Sequence, residues 1–304
     1  MIAVRKLALV AALVCTAVIQ ALSADTLDVY FIDVGHGDAI LIDFDSIECL
    51  IDFGGPTRYC PELTAKTTDC GSTCLGCHSD FMLDVINGDL ELAILSHNHW
   101  DHYGGFVEFS RLLQSDGRAL GQLWRGPDRD PDTCGTNWKE FHAAAEVAGP
   151  SGPFNEAASA PPALHPELTW TFLSPEDPYE ASTDDNRNSV VLLLRYGKVS
   201  FLFTGDIQSP SEEAFVRCGA TLPWTLVLKV PHHGSDNRTA MTADFLDWAD
   251  PELAIISGDI DDLGEATRAA LGEKEIPFLQ TCNNGTICVS TDGVSVWVTP
   301  LLDP

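Results

Sequence analysis

The chain has 304 residues, 45% of them apolar, with 18 Pro, 24 Gly and 10 Cys, which excludes collagen-like, coiled-coil and low-complexity classes. Its 17 Lys and Arg face 45 Asp and Glu, a formal net charge of −28. A field of that sign repels polyanions and disfavours tight, sequence-independent binding of long nucleic acid, which depends on basic side chains displacing counterions from phosphates.

Arg5 and Lys6, the apolar run from Leu7 to Ile19, and the small residues of Ala21-Leu22-Ser23-Ala24 read as a secretory signal. Crossing a bilayer takes about 20 apolar residues, so this run is too short to be an anchor. No membrane span is expected after cleavage, and residues 25–304 are expected to form one domain, secreted or periplasmic. Loss of Arg5 and Lys6 takes the net charge to −30 and leaves nine cysteines, most of which are expected to pair in an oxidising compartment.

Leu27 to Ile32, Ala39 to Ile42 and Cys49 to Phe53 are short β-branched and aromatic runs separated by turn residues, and predict three consecutive antiparallel strands. Leu92 to Leu95 is a fourth strand that stops at Ser96. Further strands are predicted at 168–173, 190–196, 199–204, 226–230, 253–256, 285–290 and 294–298. Helices are predicted at 80–87, 106–113, 138–147, 211–217, 242–248 and 265–271. Two strand-rich halves with interspersed helices predict an α/β sandwich, two sheets face to face with helices outside. Only residues 149–162, rich in Gly and Pro, are loop-like enough to mark a boundary or an excursion.

The strongest chemical signal is Ser96-His97-Asn98-His99-Trp100-Asp101-His102-Tyr103-Gly104-Gly105 at the end of a strand. Imidazole nitrogens and carboxylate oxygens are what zinc-like ions prefer. In a tight turn His97 and His99 can converge on one ion while Asp101 and His102 face a second.

With this motif the chain resembles the metallo-β-lactamase superfamily of metallohydrolases, whose hallmark is HxHxDH. Within it the resemblance is to the branch holding the extracytoplasmic domain of competence-type DNA-channel proteins and the phosphorylcholine esterases. The residues that carry it are Phe31 to Ala39, Leu50-Ile51-Asp52, the HxHxDH turn, Asn188-Ser189-Val190-Val191, Leu202-Phe203-Thr204-Gly205-Asp206, and Lys229-Val230-Pro231-His232-His233-Gly234-Ser235. The resemblance implies a four-layer αββα sandwich and two divalent ions, Zn2+ first and Mn2+ as the alternative. The implied ligands are His97, His99, Asp101, His102, Asp206 as the bridging carboxylate, and His233. Asp52 resembles a carboxylate that fixes a ligand imidazole, and Asp33 and Asp38 are expected to shape the turn beneath the metals.

Two departures from the resembled pattern bear on the chemistry. Many superfamily hydrolases supply another His about 20 residues before the bridging Asp, whereas this chain has Asp184-Asp185-Asn186-Arg187-Asn188-Ser189 there. The ion at His97, His99 and Asp206 is thus expected to have fewer protein ligands. Related chains also often carry a late Gly-His-Pro where Ser257-Gly258-Asp259 stands, and the branch usually has Gln in place of His36. Help lost with that late imidazole must come from His232 or His36.

Between the third strand and the metal turn lies a Cys-rich insert with Cys60, Cys70, Cys74, Cys77 and His78. Disulfides, with Cys134 as a further partner, are favoured by compartment, and a Cys₃His zinc site or c-type haem attachment at Cys74–His78 are the other readings. Cys282 and Cys288 bracket Asn283-Asn284-Gly285, a hairpin-turn signal, and a local disulfide is expected there.

The sequence thus implies an exported dinuclear hydrolase of phosphodiesters or phosphomonoesters that acts through a metal-bridging hydroxide, with Asp101, His232 and Asn188 as catalytic residues and a small anionic ester as substrate. β-Lactam or lactone hydrolysis, or a metal-binding module that has lost catalysis, are the alternatives. Oligomeric state is not legible.

Overall fold

The computed structural model describes residues 25–55, 81–125, 136–148, 155–156, 163–174, 185–219, 222, 227–237 and 240–301. The signal segment, the Cys-rich insert, Cys134 and most of the 149–162 loop lie outside the described residues.

Strands β1 (Leu27–Phe31), β2 (Ile40–Phe44) and β3 (Ile47–Ile51) form the expected antiparallel meander. They extend through β4 (Leu90–Leu95), β5 (Leu120–Arg125) and β6 (Asn155–Glu156), all paired parallel, while β13 (Thr286–Thr291) and β14 (Val296–Leu301) pair on the other side of β1. The order of this eight-stranded sheet is β14-β13-β1-β2-β3-β4-β5-β6. The second sheet has six strands in the order β12-β11-β10-β9-β8-β7: β7 (Leu168–Ser174), β8 (Val191–Tyr196), β9 (Val199–Phe203), β10 (Val227–Lys229), β11 (Leu253–Ile256) and β12 (Phe278–Gln280).

Alternation within strands builds the layers, because successive side chains point to opposite faces. Val29 and Phe31, Ile40 and Ile42, Leu192 and Leu194, and Phe201 and Phe203 join one cluster between the sheets. Their neighbours turn outward. Leu41, Leu50 and Ala93 pack with Phe106, Phe109, Trp138 and Phe141 from helices α2 (Phe106–Ser115) and α3 (Thr136–Ala148). Leu202, Leu228 and Ala254 pack with Phe245, Leu246 and Leu271 from α5 (Ala243–Ala249) and α6 (Glu265–Glu273). Both faces of each sheet are therefore apolar, as buried α/β sheets require. The remaining helices are α1 (Trp100–Tyr103), α4 (Ser209–Cys218) and α7 (Thr281–Asn284).

Three expectations change. The Asn283-Asn284-Gly285 segment is the end of the helical turn α7, with Gly285 at φ 67°, and not a hairpin loop. Cys282 and Cys288 are consequently separate thiols: the first lies on α7, and the second points from β13 to Ser290 and Asp28, 3.5 and 3.9 Å away. Strand β5 was not expected from the sequence, because Gly121 and Gln122 break its alternation. Gly121 is required by close strand approach, since a Cβ there would lie 2.6 Å from the Glu91 carbonyl oxygen. Among the described residues no helix is long and apolar enough to cross a membrane.

Candidate metal centre

Parallel strands end side by side, so the segments that follow them converge. In the first sheet β3 runs into Asp52 and β4 into Ser96-His97. In the second, β9 leads to Gly205-Asp206, β10 to Pro231-His232-His233, and β11 to Ser257.

The HxHxDH turn leaves β4 extended and closes on the single-turn helix α1, where His102 and Tyr103 donate their N–H groups to the His99 carbonyl at 3.0 and 3.1 Å. This turn brings His97 and His102 ring to ring, with centroids 4.2 Å apart. Beneath it Asp52, in the left-handed region at φ 59°, accepts from Ser96 N–H at 2.7 Å and Ser96 Oγ at 2.6 Å. Its other contact is His102 Nδ1, at 2.7 Å, which aims Nε2 away from Asp52. His233 is aimed in the same manner, because its Nδ1 donates to the Ser257 carbonyl at 2.9 Å. His232 and His233 have φ of 50° and 56°, and two consecutive non-glycine residues in that region cost roughly 1–2 kcal/mol each. Such strain persists where the surroundings fix it.

His97, His102 and His233 present Nε2 to one oxygen. Asp206 Oδ2 lies 3.3 Å from His102 Nε2, 3.3 Å from His233 Nε2 and 3.8 Å from His97 Nε2. Asp101 Oδ2 closes the ring, 3.3 Å from His233 Nε2 and 3.6 Å from His102 Nε2. Of three donor groups among the described residues, two contain Asp206: His97, His99 and Asp206 in one, and Asp101, His102, Asp206 and His233 in the other; the third, Asp38, Asp52 and His102, lies beneath, where Lys229 already meets Asp38. The buried Nε2 atoms of His97, His102 and His233 have no hydrogen-bond partner among the described residues. Buried polar atoms left in this state cost free energy, so their convergence fits a divalent cation that takes N and O donors.

Electrostatics agree. Burial pushes the His97 imidazole well below its ordinary range, so its ring stays a neutral lone-pair donor. Burial also opposes charge on His102 and His233, yet the Asp206, Asp52 and Asp101 carboxylates hold His102 well above its ordinary value, and Asp206 and Asp101 raise His233 to about 10. Asp206, despite complete burial, is held well below the carboxylate range by His233 and His102. These carboxylates demand positive charge at the positions where the donors converge.

Around this centre lie residues of three kinds. Lys229, 1% exposed, reaches Asp38 Oδ2 at 2.5 Å, the Gly205 carbonyl at 3.0 Å and Asp206 Oδ1 at 3.6 Å. It was expected only as part of a motif, and its clue was a Lys inside an apolar strand. Asp38 therefore meets an ammonium beneath the centre, as a turn-shaping residue would. Gly37, φ 136°, allows that loop to pass under the metal turn, since a Cβ there would lie 2.3 Å from the Asp101 carbonyl oxygen. On the solvent side His36 bridges Asp262, at 2.9 Å, and Asp101, at 3.3 Å.

The segment expected to place Asn188 beside substrate is a 3-10 turn, Asp185–Asn188. Within this turn Asn186 approaches His232, with Nδ2 3.4 Å from His232 Nε2. Asn188 is partly buried at the end of the turn. Asp185, which the sequence did not single out, is buried with Oδ2 4.0 Å from His99 Nε2.

Residues 75–258 match the Metallo-beta-lactamase superfamily, and the chain belongs to that family of folds. It is 28% identical over 267 residues to ComE operon protein 3 of Bacillus subtilis (strain 168), covering 86% of this chain and 32% of that protein. It is 37% identical over 176 residues to Competence protein ComA of Neisseria gonorrhoeae, covering 55% of this chain and 20% of that protein. The chain thus spans at most about a third of the length of these curated relatives. Among solved structures, the metallo-beta-lactamase fold protein YhfI from Bacillus subtilis shares the fold with a TM-score of 0.52 at 13% identity, over 90% of this chain and 99% of that one.

Proposed function

We propose that this chain is an exported, dinuclear metal-dependent hydrolase that splits phosphodiester or phosphomonoester bonds of small anionic substrates. The observation that carries the reading is the convergence of three partnerless imidazole Nε2 atoms on Asp206 Oδ2. His97, His99 and Asp206 would hold one ion and Asp101, His102, Asp206 and His233 the other, and their N/O donor set suits Zn2+ first, with Mn2+ as the alternative. Bound there, two dications supply Lewis acidity and an activated water.

The chain's own residues do the rest. Asp206 sits between the two positions and Lys229 holds its far oxygen, so Oδ2 is left to face both groups. His232 stands beside the centre rather than in it, and Asn186 and Asn188 on the neighbouring turn help orient a phosphoryl group through side-chain donors. Asp101 is placed to accept a proton besides holding an ion. His36 and His99 form the solvent-facing rim through which a substrate enters.

The resemblance to competence-type DNA-channel proteins favours nucleic acid as a second reading, and the net charge opposes it for long duplexes. Elemental analysis of the purified protein, combined with turnover of a small chromogenic phosphodiester and of plasmid DNA at low salt, decides. Close to two ions and faster turnover of the small ester are expected. His232→Ala should keep both ions and lower turnover about 100-fold or more, since one lost transition-state contact typically costs a few kcal/mol. Rapid plasmid degradation would replace the small-ester reading, full metal with no ester turnover would leave a binding module, and loss of an ion in the His232 variant would make that imidazole a ligand.

A further inference from the structure

The two donor groups are unequal, three residues against four, and the 3-10 turn Asp185–Asn188 brings a carboxylate to the smaller one. We infer that Asp185 is the fourth protein ligand of the His97, His99 and Asp206 position, an oxygen donor where many related hydrolases use an imidazole. The inference rests on the dinuclear reading above.

Three observations carry it. The first is distance. Donors each about 2.0–2.2 Å from a shared ion can be no more than about 4.4 Å apart, and Asp185 Oδ2 meets this toward His99 Nε2, at 4.0 Å. That separation is too long for a hydrogen bond between them. Asp185 is not yet among the donors within 4.8 Å of one another, so its side chain must turn toward His97 and Asp206 to join them.

The second is which nitrogen Asp185 faces. Where a group in this centre merely orients an imidazole, it meets Nδ1: Asp52 does so with His102, and the Ser257 carbonyl with His233. Ser96 Oγ likewise lies 3.0 Å from His97 Nδ1. Asp185 instead approaches His99 at Nε2, the nitrogen that His97, His102 and His233 turn toward Asp206.

The third is fixation. Val190 N–H donates to the Ser96 carbonyl at 2.8 Å, and Asp206 N–H donates to Ser189 Oγ at 3.0 Å. The residues directly after the turn are thereby tied to the segments bearing His97 and Asp206, and Ser189 N–H closes the turn on the Asn186 carbonyl at 3.1 Å. Asp185, 5% exposed, is held in register with the donors it joins. A third carboxylate also lowers the positive charge that the two ions present to an anionic substrate, without reversing its sign.

The test is a Zn2+ titration of the metal-stripped full chain against a chromophoric chelator, for wild type, Asp185→Asn and Asp185→His, with melting temperature recorded for each. Wild type is expected to take up two ions. Asp185→Asn should bind one with wild-type affinity and the other at least tenfold more weakly, and Asp185→His, which returns a nitrogen donor, should recover the second ion. Wild-type affinity for both ions in Asp185→Asn overturns the inference, as does an Asp185→His chain that melts like wild type yet lacks the ion. Uptake of fewer than two ions by the wild type would instead defeat the dinuclear reading, and is seen before any variant is made.

Discussion

The two donor groups share a carboxylate but differ in enclosure. In the larger, His102 and His233 are fully buried, and each is fixed at Nδ1 by a partner from a different strand end. In the smaller, His97 is buried but the His99 side chain is 38% exposed. The larger position is thus built into the junction of the two sheets, and the smaller one opens on solvent. Preorganisation and access are divided between neighbouring sites, which suits a centre where one position must stay rigid while the other meets substrate.

The largest effect should come from removing what the groups share. Asp206→Ala deletes the oxygen on which both converge, so both ions should be lost in elemental analysis and turnover should fall by more than a thousandfold. Retention of one ion at full occupancy would show that the positions are independent.

Asp52→Asn should separate them. Asn tolerates the left-handed backbone of this position and keeps the shape, but cannot hold His102 Nδ1–H as a carboxylate does. Affinity at the enclosed position should drop about 10–100-fold, with the open position unchanged, in a two-ion titration. Equal weakening of both would mean that the enclosure distinction has no energetic counterpart.

The smallest effect concerns the helix behind the centre. Burial lifts Glu212 of α4 from its ordinary 4.5 to about 7, despite the Thr242 N–H donated to it. A carboxyl whose folded pKa is raised stabilises the fold below its unfolded value and loses that contribution as pH rises through the folded one. Melting temperature should therefore fall between pH 4.5 and pH 7 by the equivalent of at most about 3 kcal/mol. Glu212→Gln should flatten that slope without altering metal content. An unchanged slope would place the pH dependence in the centre itself.

Much of this architecture was legible because its signals are contiguous. HxHxDH follows an apolar strand, and Asp206 and His233 sit at the ends of further apolar runs, so order along the chain anticipated their meeting. The Asp184–Ser189 segment was not legible in detail. It offers several short polar side chains in succession, and only the geometry of a 3-10 turn brings Asp185 to His99 and Asn186 to His232. Lys229 was overlooked for the opposite reason, since lysines are almost never fully buried unless paired, and its partner Asp38 lies far away in sequence. The Cys282 and Cys288 disulfide failed because a turn signal was read without the helix that precedes Gly285.

Lys229 bears on the cost of burying this centre. Carboxylates shut away from water without counter-charge would oppose folding by several kcal/mol each. With an ammonium lodged between Asp38 and Asp206, part of that counter-charge is encoded in the polypeptide and is present before any ion arrives. The fold therefore does not depend on an ion for all of the counter-charge that these two carboxylates require.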